Sequence, residues 1–293
     1  MEGARELEPV SRTYISQGLQ LHYLAWGDPG APLLVLVHGI CEHARSWDQT
    51  ARALCSDWHV VAPDLRGHGD SAWSPDKSYL TSCYLLDIAN LMQSLPQQRA
   101  TVIAHSLGGN VIARFAAVFP EQVARLVLIE GLGPSPDAFA NWQRQGPVQR
   151  TRAWIDTQRA VAGKLPRRFD SIAEAQTRLM KSNPRLSAEL AAHLARYAVR
   201  PCAQGFVWKH DPLVTAFSPE DFALEGPLFW KEIAIPTLLF QGTESWTTNP
   251  ETDGRAMHFC DRRTVLVEGA GHWVQHDQFE SFIASLREFL SGA

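Results

Sequence analysis

Residues 101–120, TVIAHSLGGNVIARFAAVFP, constrain this chain more than any other stretch. The run Thr101-Val102-Ile103-Ala104 has the character of a buried strand. Small residues follow in His105-Ser106-Leu107-Gly108-Gly109. Then Val111, Ile112, Phe115, Ala116 and Phe119 fall at the spacing of one helix face until Pro120 ends the pattern. The prediction is strand, tight turn and helix with Ser106 at the apex, the arrangement called a nucleophile elbow. Such a turn strains the serine backbone and lifts its hydroxyl clear of the sheet edge. Strand and helix nearly touch there, so the positions two before and two after the serine must be small. They are Ala104 and Gly108. Ala104 stands where G-x-S-x-G has its first glycine, a mild change if that position does not need positive φ.

The flanking sequence repeats the alternation of strand and helix. Strands are predicted over 12–17 and 19–26 around a turn at Gly18, then over 33–37, 58–62 and 125–130, with 33–37 an unbroken aliphatic run typical of a buried parallel strand. Helices are predicted over 46–56, with Ser46 as cap, and over 79–95. Beyond Gly133-Pro134-Ser135-Pro136 the character changes: residues 137–230 carry no alternating strand pattern and are mostly helical, interrupted by Pro147, Pro166, Pro184, Pro201 and Pro212. Alternation resumes with strands over 235–241 and 264–267, a helix over 250–259, and a closing helix over 277–290 that presents Phe279, Phe282, Ile283, Leu286 and Leu290 on one face. Such alternation implies a parallel sheet covered on both faces.

A serine hydroxyl needs a base, a group to orient that base, and donors for the oxyanion that forms. The base candidate is His272, in Gly269-Ala270-Gly271-His272-Trp273, which emerges between the last strand and the last helix. That places it at the C-terminal edge of the sheet, where Ser106 stands and where open α/β sheets bind ligands.

Together His38-Gly39, DLRGHGDS over 64–71, AHSLGG around Ser106 and GAGHW around His272 resemble the α/β-hydrolase family, in the right order and over nearly the whole chain outside the insertion. The resemblance implies a mostly parallel eight-stranded sheet with helices on both faces. It also implies a core of residues 1–133 and 231–293, and an inserted helical cap over 134–230. It further implies a Ser–acid–His triad and an oxyanion hole formed by the N–H groups of Leu107 and Ile40. His38, Asp64 and Arg66 match positions that mostly shape loops.

Two carboxylates compete for the place of the acid. Most of the family carries an aspartate after the seventh strand; here Gln241-Gly242-Thr243-Glu244-Ser245 puts Ser245 at that place, with Glu244 beside it. Another branch uses a carboxylate at the end of the sixth strand, where this chain has Glu130. Glu130 is preferred and Glu244 is the alternative. Relatives that open epoxides or remove halides attack with aspartate, so Ser106 favours acyl transfer to water: hydrolysis of a small-molecule carboxylic ester. Carbon–carbon hydrolysis of diketone-type ring-cleavage products is the alternative within enzymes. A non-catalytic ligand-binding protein on the same fold is the alternative outside them.

No metal or nucleotide spacing occurs, so neither cofactor is expected. Cys41, Cys55, Cys83, Cys202 and Cys260 form no CxxC pair and read as reduced thiols. Net charge is −4, which gives no global field for nucleic acid or membrane. The polar N-terminus lacks a signal-like apolar core, so a cytoplasmic location is the default expectation. The insertion is rich in arginine and carries Trp142, Trp154, Phe206, Trp208, Phe217, Phe229 and Trp230, candidates either for a pocket wall or for the seam with the core.

Overall fold

A computed structural model describes residues 8–162, 167–222 and 226–292. The expectations touching the N-terminal seven residues and Pro166 lie outside them. β1 (Val10–Ser16) and β2 (Leu19–Trp26) form an antiparallel hairpin whose turn holds both Gln17 (φ 50°) and Gly18 (φ 75°) in the left-handed region. β3 (Leu33–Val37), α1 (Asp48–Leu54), β4 (His59–Pro63), α2 (Thr81–Ser94), β5 (Ala100–His105), α3 (Ser106–Val118) and β6 (Val123–Ile129) follow. Between β6 and the next strand of the main sheet lie α4 (Pro136–Arg144), α5 (Pro147–Ala162), β7 (Arg168–Phe169), α6 (Ile172–Ser182), α7 (Ala188–Ala198), β8 (Val199–Cys202), β9 (Gly205–Trp208) and α8 (Gly226–Trp230). β10 (Thr237–Gly242), β11 (Arg262–Val267), α9 (Val274–Asp277) and α10 (Phe279–Ser291) complete the chain.

The main sheet has eight strands in the order β1-β2-β4-β3-β5-β6-β10-β11, parallel from β4 to β11 and antiparallel at β1 and β2. Alternation along the strands sorts the aliphatic residues between two helical layers. Val35, Val37, Val102, Ala104, Leu126 and Leu128 meet Tyr84, Ile88 and Leu91 of α2 and Val111, Ile112 and Phe115 of α3. Leu34, Leu36, Ile103, Val127, Ile129 and Phe240 meet Ala51 and Leu54 of α1 and Phe282, Ile283 and Leu286 of α10. A fully buried side chain of this kind contributes roughly 1.5–3 kcal/mol, so the two layers hold the sheet edge rigidly.

Local structure departs from the sequence pattern in three places. Ser46 does not cap α1: its hydroxyl turns back to the His43 carbonyl inside a 3-10 turn over Ala44–Trp47, and α1 starts at Asp48 without a side-chain cap. Residues 250–259 form turns and a short 3-10 helix, Ala256–His258, instead of an α-helix. Asn249 and Asp253 accept from the N–H groups of Glu251 and Arg255, and the buried Arg255 guanidinium binds the carbonyls of Gly133 and Thr248. These bonds compete with a helical ladder. Within the long insertion, β7, β9 and β8 form a small antiparallel sheet that the pattern did not reveal, because strands of two to four residues are too short to show a period of two. Among the described residues no helix is long and apolar enough to cross a membrane.

Candidate active site

Ser106 is the first residue of α3, and β5 delivers it with φ at 51°. The strain is supported by close approaches that only small residues permit. A Cβ on Gly108 would lie 2.6 Å from the His38 carbonyl oxygen, and one on Gly109 would lie 2.6 Å from the Cα of Gly131. Ala104 is fully buried and has no positive φ, so an alanine there meets no left-handed backbone strain. Because α3 begins at Ser106, the Leu107 N–H is one of the four at this end with no acceptor inside the helix, and the positive end of the helix dipole lies at the serine.

Residues 106, 272 and 130 meet in a line. Ser106 Oγ lies 3.0 Å from His272 Nε2, and His272 Nδ1 lies 2.6 Å from Glu130 Oε2. Glu130 sits one residue past β6 with φ at 47°, a second strained residue at the same edge. Its carboxylate also accepts from the hydroxyls of Ser245 (2.5 Å) and Thr247 (2.9 Å), from the Gln241 side-chain amide (2.8 Å) and from the Gly242 N–H (2.9 Å). Burial acts to raise the carboxyl, but the bonds from His272, Ser245 and Gly242 prevail and hold it below the usual carboxylate range. An ionised Glu130 takes the proton-bearing Nδ1–H of His272, which leaves Nε2 to accept from the serine hydroxyl.

Glu244 is not brought to this line. Its carboxylate is exposed and paired with Arg185, although it follows β10 only two residues past Gly242. Ser245, which occupies the place of an aspartate in most of the family, supplies a hydroxyl to Glu130 instead. Ile40 lies in the turn after β3, next to Gly39, whose added Cβ would be 3.0 Å from Ser106 Cβ. The three loop residues expected to be structural are internally satisfied. His38 Nε2 accepts from the Leu65 N–H, Asp64 binds His22 and the N–H groups of Ala44 and Asp70, and Arg66 pairs with buried Asp87. Burial pushes the Cys41 thiol up to about 12, which keeps it protonated and a poor nucleophile.

Sequence reading passed over several residues that complete the site. Trp246, 80% exposed, covers the His272 ring at a centroid distance of 4.9 Å. Thr247 and Gln241 hold the Glu130 carboxylate, and His105 and Glu42 lie behind the His272 imidazole. Position was the signal that could have pointed to the last two: His105 is inside the elbow motif and Glu42 is four residues after His38. A cavity of about 390 Å³ is lined by Ile40 and Trp273, next in sequence to His272, and by Leu179, Leu194 and Trp208 of the insertion. A separate cavity of about 500 Å³ lies between the 76–80 loop and α5, and neither cavity is lined by Ser106, His272 or Glu130 themselves. Of the insertion's aromatic residues, Trp208 lines the cavity by Ile40 and Trp154 the larger one, whereas Trp230 is buried against Phe259 of the core.

Comparisons with known proteins agree with this architecture. A family model described as alpha/beta hydrolase fold matches residues 32–279. The chain is 33% identical over 284 residues to a serine hydrolase-like protein of Danio rerio, covering 92% of this chain and 85% of the relative. It is 29% identical over 277 residues to epoxide hydrolase 4 of Mus musculus, covering 89% and 73%. Among solved structures it resembles a thioesterase domain from the curacin biosynthetic pathway, with TM-score 0.81 and 26% identity over 96% of this chain and 99% of that one. Sheet order, elbow and sequence match lead to one conclusion: the chain belongs to the α/β-hydrolase fold family.

Proposed function

We propose that this protein is a serine hydrolase that cleaves a carboxylic ester of a small molecule through an acyl-enzyme on Ser106, beneath a cap formed by residues 134–230. The observation that carries the reading is the line of contacts Ser106 Oγ–His272 Nε2 at 3.0 Å and His272 Nδ1–Glu130 at 2.6 Å. Ser106 Oγ attacks the ester carbonyl carbon as its proton passes to His272 Nε2. The imidazolium forms against the ionised Glu130, and the N–H groups of Leu107 and Ile40 hold the oxyanion. His272 returns the proton to the departing alkoxide. It then takes a proton from water, which attacks the acyl carbon. That proton passes to Ser106 Oγ as the acyl bond breaks, releasing the carboxylic acid and restoring the serine hydroxyl.

The nature of the nucleophile separates this reading from epoxide opening, despite the name of one relative. Attack of a serine oxygen on an epoxide carbon would leave an ether on the enzyme, which the same base and water would not cleave. Attack on an acyl carbon leaves an ester, which they would. A fluorophosphonate probe should label Ser106, and a panel of p-nitrophenyl esters should reveal turnover that Ser106→Ala lowers by on the order of 10⁴–10⁶. A folded wild-type chain that neither takes the probe nor hydrolyses any ester would overturn the proposal.

A further inference from the structure

A second carboxylate–imidazole pair lies directly behind the first. His105, the residue before Ser106, is fully buried, and its Nδ1 lies 2.7 Å from Oε1 of the buried Glu42. On the other side His105 Nε2 lies 3.0 Å from the main-chain carbonyl oxygen of His272, and the two rings are 4.8 Å apart between centroids. Hydrogen-bond valence fixes the protons. A carbonyl oxygen only accepts, so Nε2 carries a proton; Nδ1 faces a carboxylate, so it carries or shares another. The pair therefore holds two protons on or next to one imidazole, with the buried Glu42 carboxylate as counter-charge. Burial works against both charges, but each partner supports the other: His105 is held above its ordinary value and Glu42 is brought down to about 2.

These bonds join three segments far apart along the chain. Glu42 belongs to the turn that carries Ile40, His105 to the elbow, and the accepting carbonyl to the loop that carries His272. Gly39 makes room for the junction, since a Cβ there would lie 2.5 Å from Glu42 Oε1 and 2.7 Å from His105 Nδ1. We propose that Glu42 and His105 are positioning residues that clamp the His272 main chain to the elbow and to the oxyanion turn, so that Nε2 of His272 is held at the serine hydroxyl. The inference rests on the reading of His272 as the base.

The test uses the full chain in three variants. His105→Phe keeps the ring shape and removes both donors. His105→Gln restores a donor near Nε2, and Glu42→Gln removes the counter-charge while keeping a partner for Nδ1. With p-nitrophenyl esters, His105→Phe should lower kcat about 10²-fold with KM within about twofold. His105→Gln should recover at least about tenfold of that loss, and Glu42→Gln should lower kcat about tenfold. Nitrogen NMR of the wild-type imidazoles should show both ring nitrogens of His105 protonated near neutral pH, and this signature should disappear in Glu42→Gln. The clamp is refuted if folded His105→Phe keeps kcat within about threefold, if His105→Gln restores nothing, or if Nε2 of His105 carries no proton in the wild type. The NMR signature needs no turnover. A wild-type chain that hydrolyses no ester but shows a doubly protonated His105 would therefore sink the hydrolase reading and still support the pair.

Discussion

Glu130–His272 and Glu42–His105 are the same chemical pair, their imidazole rings 4.8 Å apart, with opposite surroundings. The His272 side chain is 17% exposed and its free nitrogen faces a hydroxyl, which can give up a proton. The His105 side chain is 0% exposed and its second nitrogen faces a carbonyl oxygen, which cannot. A carboxylate beside an imidazole is therefore not in itself a reactive device. The third partner and access to solvent decide whether the proton can move.

The contrast can be broken at several points, and the largest effect should come from the acid. Glu130→Gln, measured with an activated ester, should lower kcat by about 10⁴, because an amide no longer enforces the Nδ1–H tautomer of His272. A loss below about tenfold would remove Glu130 from the proposed mechanism. Gly39→Ala should come next, at about 10² in kcat/KM, since its methyl group would enter the space between Glu42, His105 and Ser106. Unchanged kinetics in that variant would mean that the junction yields freely.

Stability should separate His105 from its neighbours. Burial pushes His43 and His276 down to about 4 and His68 down to about 3, so these rings are neutral in the folded chain. In the unfolded chain they gain protons below about 6.5, and the unfolded state then binds more protons than the native one. Their contribution is complete above that pH and is lost as pH falls from about 6.5 towards 4, at about 1.4 kcal/mol per ring for each pH unit of the fall. Denaturant midpoints recorded at about pH 7.5, 6 and 5 should decline in that order; a midpoint constant down to about pH 5 would contradict the assignment. The smallest effect belongs to the other loop carboxylate. Glu244→Gln should change kcat by less than about twofold, because an exposed pair with Arg185 is worth at most about 1 kcal/mol. A loss comparable to that of Glu130→Gln would reverse the roles given to the two glutamates.

Local pattern made much of this legible. The elbow, the hairpin at Gly18 and the aliphatic strand over 33–37 follow from apolar period and turn chemistry between near neighbours in the chain. Where side chains compete with the backbone, as at Asn249 and Asp253, the apolar period alone predicted a helix that those bonds prevent.

By itself the sequence determined the fold class, the serine at the apex of its turn and the histidine at the same sheet edge, because each is written in contiguous residues. Which of two nearby carboxylates lies against His272, and the placing of His105 and Glu42 behind it, was left to tertiary structure. Glu130 and Glu244 are chemically alike. Only the pairing of β6 with β10, in which Ile129 lies opposite Phe240, brings the donors of Gln241, Gly242, Ser245 and Thr247 around one of them. That environment is assembled from segments more than a hundred residues apart, so no local pattern records it.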